Sequence, residues 1–423
     1  MNAQTTPRIL AVAYGGGHIA MMLPVLRALR ARLPGVRIDL MALTTARRAA
    51  IDAGERPLGY ADLLPLLSPE EQAQALDLGR ALQSGNTHPD IPEAETVAYL
   101  GINAWDLQRQ VGTEAAQRLL TAKGRHGFYP LHFFRGLIAH LRPDLVLATN
   151  SPRSEQAVVD AAAEAGIPSL AILDLFGLPG DAFAARTRHP SRVCVLSEVA
   201  RDNLIAAGWP RDIIAITGNP AFDALNAPQT REQGAALRDA YGGAGKRLIL
   251  LALQSEPAAH PASPGRTGDA ALPERILQAS IACVRKHPDW VLIVRPHPSQ
   301  ASPTLPEDAR LHLSDPRTPL HPLLHAVDAV VTGTSTVVLE AHLAGARVLQ
   351  LLDSIAAPGM PYRALGVADA ACHLADLPQT LAALLALPRR GTGATASGSA
   401  AERVCDTAVA LLRTPARQPD HRP

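Results

Sequence analysis

Short, nearly continuous apolar runs alternate with longer stretches in which apolar residues recur every three or four positions. This is the pattern of buried parallel strands, each followed by an amphipathic helix. The first half predicts strands over 8–13, 36–43, 145–149, 169–173, 193–196 and 213–216, and helices over 18–33, 128–141, 154–165 and 198–207. The region 60–125 reads as helical but less regular. In the helix 18–33, Ile19, Met22, Leu23, Leu26 and Leu29 share a face, and Pro24 predicts a kink or a shifted start.

The pattern then restarts. A helix over 231–240 is broken by Gly242-Gly243, and a strand follows over 247–253. Further strands are expected at 290–294, 329–331, 347–352 and 370–373, with helices over 272–286, 337–344 and 377–385 and one ending at 323–326. Residues 256–271 read as a mobile loop, 388–400 as a flexible linker, 401–412 as a last helix, and the tail from Pro415 as disordered. The expected fold is α/β, with two doubly wound, Rossmann-like domains. The expected boundaries are 1–225 for the first domain, 226–395 for the second, and 396–423 for a linker, returning helix and tail.

Composition narrows the chemistry. Hydrophobic residues are 47% of 423, enough for two cores, while the net charge of +1 gives no global attraction for nucleic acid. Cys194, Cys283, Cys372 and Cys405 are scattered without a CxxC pair, so neither a disulfide framework nor a zinc ribbon is expected. No apolar run approaches the roughly 18 residues of a membrane span. A cytoplasmic location is expected, at the inner face of a membrane if the acceptor is lipid-linked.

In open parallel sheets, ligands gather beyond the carboxyl ends of the strands. Three loops there carry informative residues. Tyr14-Gly15-Gly16-Gly17-His18 follows the first strand; glycines admit close backbone approach, and His18 could act as a base or cap the helix. Arg295-Pro296-His297-Pro298 presents an imidazole and a guanidinium in a rigid loop. Gly333-Thr334-Ser335-Thr336 opens a helix that carries Glu340, suiting phosphate at the hydroxyls and amides and ribose at the carboxylate. Ordinary helix capping is the alternative. Val337 stands where a nucleophile elbow would need its last glycine, which counts against a hydrolase.

Other groups are weaker. Asp106 and Glu114, in the polar stretch 101–126, are further candidates for a base. His321 and His325 could share a helix face but lack an evident third metal ligand. Phe128, Tyr129, Phe133 and Phe134 belong to the core or face a lipid-linked acceptor.

These motifs resemble the GT-B superfamily of glycosyltransferases and the related non-hydrolysing UDP-N-acetylglucosamine 2-epimerases. Tyr14–His18 resembles the glycine-rich first loop of the lipid-intermediate N-acetylglucosaminyltransferase of cell-wall synthesis. Gly218-Asn219-Pro220 with Asp223 is similar to the Gly-Asn-Thr segment of the epimerases. Thr334-Ser335-Thr336 with Glu340-Ala341 and Gly345 is similar to their diphosphate- and ribose-holding loop and helix. Arg295–Pro298 resembles the His-Pro motif of capsule-type transferases, including CMP-sialic-acid and CDP-glycerol users.

The resemblance implies two domains facing a cleft, a UDP- or CMP-linked sugar donor, and a glycan or lipid-linked acceptor. It implies inverting transfer without a metal or cofactor, with Arg295, His297, Gly333, Thr334, Ser335, Thr336 and Glu340 on the nucleotide. Gly15, Gly16 and Gly17 would lie on the acceptor side. Gly-Gly-Gly-His replaces the epimerases' Gly-Thr-Arg-Pro-Glu, which favours transfer over epimerisation.

Overall fold

The structure is a computed structural model describing residues 6–84, 88, 90–225, 227–259, 265–297, 301–315, 317–390 and 399–413. Pro298, most of the expected linker, part of the expected 256–271 loop and the tail from Pro415 lie outside the described residues. The chain divides into two compact units, Met1–Ala221 with Ser397–Pro423, and Phe222–Ala396.

The first unit holds a parallel six-stranded sheet: β1 (Arg8–Tyr14), β2 (Arg37–Leu43), β3 (Leu145–Ala148), β4 (Ser169–Ile172), β5 (Arg192–Val195) and β6 (Ile214–Ile216). Their spatial order is β2-β1-β3-β4-β5-β6. Alternate residues feed opposite cores. Leu10, Val12, Met41 and Leu43 enter one, with Phe128, Phe133 and Phe134; Ile9, Ala11, Leu40 and Ala42 enter the other. Helices therefore cover both faces, and this is why the strands read as unbroken apolar runs. The three phenylalanines are core residues, and Tyr129 donates its hydroxyl to Asp160, so the lipid-facing reading does not hold. The last helix, Ala400–Arg413, packs Val404, Cys405 and Ala408 into the second of these cores.

The second unit repeats the plan with β7 (Arg247–Ala252), β8 (Trp290–Arg295), β9 (Leu311–Leu313), β10 (Ala329–Thr332), β11 (Arg347–Leu351) and β12 (Ala370–Cys372). Their order is β12-β11-β10-β7-β8-β9, again all parallel. Carboxylates collect backbone N–H groups near the amino ends of strands. Asp144 accepts from Arg8, Asp369 from Val348, and buried Asp328 from Leu248 while pairing with Arg238 at 3.0 Å.

Three elements differ from the sequence reading. The first helix runs Gly15–Arg32 without a break at Pro24 and starts three residues earlier than the pattern suggested. A helix Thr45–Asp52 and the short edge strand β9 were not expected. The irregular region resolves chiefly into the helices Pro69–Leu82, Glu93–Val111 and Thr113–Lys123.

Two of these helices cross in close contact. A Cβ on Gly79 would stand 2.0 Å from the Val97 carbonyl oxygen, and one on Gly101 would stand 1.9 Å from that of Ala75. Backbone cannot yield cheaply there, so Gly101→Ala should destabilise by about 1–3 kcal/mol through overpacking. A denaturation midpoint equal to that of the wild-type protein would refute the crossing.

Candidate functional site

Each sheet reverses its strand order once: between β1 and β3 in the first unit, and between β7 and β10 in the second. At such a reversal the two neighbouring connections leave in opposite directions and open a crevice at the carboxyl edge. The charged and hydroxyl-bearing loops of both units lie at these two points.

In the first unit, Gly15 takes φ +81°, turning β1 sharply into its helix. The first helical turn carries no acidic residue but does carry His18. A cation near the positive end of a helix is unfavourable, and two carboxylates offset it. Glu155, fully buried, lies 3.2 Å from His18 Nδ1; Asp174, partly exposed, lies 3.5 Å from Nε2. Glu155 also accepts from the Tyr14 amide at 2.8 Å, the Ser151 amide at 2.6 Å, and the Thr149 hydroxyl. Asp174 is steadied by Asn150, whose Nδ2 donates to Oδ1 at 2.8 Å, and Asn219 Nδ2 reaches the Asp174 carbonyl at 3.5 Å.

Burial alone would lower the His18 pKa. The hydrogen bonds to Asp174 and Glu155, with their charge, outweigh it and raise the imidazole to about 10. His18 is therefore an imidazolium at neutral pH. An imidazole in that state can donate or orient, whereas the expected role of base needs a free ring nitrogen. Asp174, whose side chain retains 28% exposure, is the accessible carboxylate of the group.

The other expected bases lie elsewhere. Asp106 is fully buried in the helix Glu93–Val111, where its oxygens accept from Gln110 and from the Phe133 amide at the start of the next core helix. Burial pushes its pKa up. Its role is to tie two helices together. The Glu114 side chain is 93% exposed and faces only Arg118, 3.8 Å away. Neither hydrogen-bonds with the His18 group.

In the second unit, the loop Gly333–Thr336 joins β10 to the short helix Val337–Leu343. It is held from below. Gln254, just past β7, accepts from the Thr334 amide at 3.1 Å and hydroxyl at 2.9 Å. The buried Tyr362 hydroxyl donates to the Thr334 carbonyl at 3.0 Å. The cap is provided by Ser335, whose Oγ accepts from the Val337 amide, and not by Thr336. Among the described residues no hydrogen bond engages the amides of Ser335 or Thr336. A Cβ at Gly333 would meet nothing nearer than 3.9 Å, so the loop's outer side is open. A concavity here is lined by Gln254, Glu256, Thr332, Gly333, Thr334 and Ser354, among others.

Glu340 projects from the following helix, with His321 Nε2 3.2 Å from its carboxylate. Arg295 closes β8, and its guanidinium reaches Ser314 Oγ at 3.3 Å and the Thr318 carbonyl at 2.9 Å. Burial lowers its pKa, and the charge of Glu340 opposes that shift. The two expected nucleotide groups are thus electrostatic neighbours. His297 lies two residues beyond Arg295, past the end of β8. His325 does not join His321 in a metal pair; its Nε2 binds the Leu225 carbonyl at 2.7 Å. Sequence reasoning missed Glu155, Asp174, Asn150, Gln254 and Tyr362, all brought in by tertiary pairing.

No family profile matches the chain. No curated protein matches it by sequence. Solved structures do match its fold. The UDP-GlcNAc 2-epimerase from Methanocaldococcus jannaschii is similar with TM-score 0.57 and 14% identity, over 95% of this chain and 99% of that one. The UDP-GlcNAc 2-epimerase from Neisseria meningitidis, solved with UDP-GlcNAc bound, gives TM-score 0.54 and 13% identity over 96% and 99%. The glycotransferase of kitacinnamycin gives 0.52 and 15% over 97% and 95%. At these identities the likeness concerns the fold: the chain has the two-domain GT-B architecture that nucleotide-sugar epimerases and glycosyltransferases share.

Proposed function

We propose that this chain is an inverting glycosyltransferase that moves a sugar from a UDP- or CMP-linked donor to a glycan or lipid-linked acceptor of the cell surface. The observation that carries the reading is the His18–Glu155–Asp174 group at the strand-order reversal of the first unit. Transfer to a hydroxyl needs a group to take its proton. Asp174 offers an accessible carboxylate oxygen, and His18 holds it in place and offsets its charge. Glu155 keeps the imidazolium oriented, a positioning role.

The donor binds in the second unit. The Ser335 and Thr336 amides, the hydroxyls of that loop, and Arg295 with His297 face the phosphates of the leaving nucleotide. Glu340 accepts the ribose hydroxyls, with His321 fixing its carboxylate. The acceptor oxygen attacks the anomeric carbon, the bond to the donor phosphate breaks, and the proton passes to a carboxylate base. Phosphate charge is met by amides, hydroxyls and the guanidinium, so activity should persist in EDTA.

A second reading is a nucleotide-sugar 2-epimerase, favoured by the fold likeness to such enzymes over nearly the whole chain. A third is a binding protein without turnover. Incubation with UDP- and CMP-sugars separates them. Transfer predicts release of the nucleotide only when an acceptor glycan is added. Conversion of UDP-GlcNAc to its C2 epimer without acceptor would establish the second reading, and tight binding with no product the third.

Glu340→Ala should weaken nucleotide binding by the loss of a charge-assisted hydrogen bond, about 1.5–3 kcal/mol by calorimetry. Unchanged affinity in the folded variant would remove Glu340 from the site.

Asp174→Asn should lower turnover by roughly 100-fold or more with donor affinity little changed. The pH dependence has a definite sign. The His18 pKa is raised from 6.5 to about 10, so its charge adds stability that is complete below about pH 6.5 and lost as pH rises through about 10. Nitrogen-15 NMR of the imidazole should report a doubly protonated ring at pH 7.5. A neutral ring there would return the role of base to His18.

A further inference from the structure

A second polar cavity lies in the first unit, at the carboxyl edge of β1 and β2. Its volume is about 220 Å³, and its walls include Tyr14, Thr45, Glu95, Tyr99 and Arg125. Three observations say what it is built to hold.

First, one donor in its wall is buried. Tyr99 is only 5% exposed, yet among the described residues its hydroxyl makes no close hydrogen bond, with the Tyr14 side chain nearby. A buried hydroxyl left unpaired costs free energy and calls for an explanation. Burial pushes the Tyr99 phenol well above its ordinary pKa, so it stays a neutral donor.

Second, one arginine lines it, and another lies over the ring of Tyr14, which lines it too. Among the described residues Arg125 forms no ion pair, and its side chain is exposed at the cavity wall. Arg153 lies over the Tyr14 ring at 4.3 Å, and its buried Nε has no partner. Both guanidinium charges act on the Tyr99 hydroxyl.

Third, the negative group in the wall is already engaged. Glu95 accepts from the Tyr60 amide at 2.9 Å and the Ala61 amide at 3.0 Å, with Arg47 beside it. The helix Thr45–Asp52 begins at the same wall with no acidic residue in its first turn and no side-chain cap.

From this arrangement we infer that the first unit carries its own site for an oxyanion, a phosphate or carboxylate borne by a small-molecule ligand, held by Arg125 and the Tyr99 hydroxyl, with the Arg153 charge acting on that hydroxyl. It is distinct from the phosphate-binding loop of the second unit and stands whichever reaction the chain performs. The bidentate geometry of guanidinium suits either oxyanion.

The test is calorimetry on the full chain with two probes, inorganic phosphate and D-glucuronate. At least one should bind. Arg125→Gln should weaken that binding by about tenfold or more, and Tyr99→Phe should weaken it as well. Arg285→Gln, at the end of the helix Leu272–Lys286 and outside both sites, should leave it unchanged. Preference for phosphate identifies a phosphorylated ligand, and preference for glucuronate a sugar acid; either supports the site. Because the Tyr99 hydroxyl makes no close hydrogen bond among the described residues, Tyr99→Phe should keep or raise the melting temperature, whereas a structural hydroxyl would lower it. Binding of neither probe, or binding lost in Arg285→Gln and kept in Arg125→Gln, would overturn the inference.

Discussion

Parallel pairing of every strand is the constraint on which the rest depends. Each strand returns by a crossover over one face or the other, through a helix in most cases, so all carboxyl ends in a sheet share one edge. Both faces are then covered, and the strands must be apolar throughout. Polar chemistry has no place within the sheet and is pushed to the ends. At the amino ends, Asp144, Asp328 and Asp369 take up backbone N–H groups. At the carboxyl ends, the two order reversals set the loops after β1 and β3, and after β7 and β10, side by side.

The two reversals are furnished differently. In the first unit, one imidazole is enclosed by two carboxylates, and backbone amides and a threonine saturate the buried one. This arrangement holds charge rigidly and leaves only Asp174 approachable. In the second unit, backbone amides stay open while glutamine and tyrosine side chains brace the loop from behind. The first suits proton transfer, the second anion binding.

The polar groups of the first unit also separate by whether they have partners. Asp106 looked catalytic because it is acidic and sits among polar residues. In the fold it anchors a helix start, and its hydrogen bonds are internal. Tyr99 carries no signal in the sequence, yet in the fold its buried hydroxyl makes no close hydrogen bond among the described residues.

The amino-acid sequence by itself determined the alternation of strands and helices, and with it the doubly wound class, because periodicity is a local property. It also showed the Gly333–Thr336 loop with Glu340, since strand, loop and helix are contiguous there. The helix Thr45–Asp52 escaped because its apolar residues are mostly alanine, and β9 because three residues carry no period. Only the tertiary structure decided the state of His18. Glu155 and Asp174 stand 137 and 156 positions away along the chain. They meet His18 because β3 pairs beside β1 and β4 beside β3. A pKa depends on such neighbours and on burial, and neither is written in the spacing of residues.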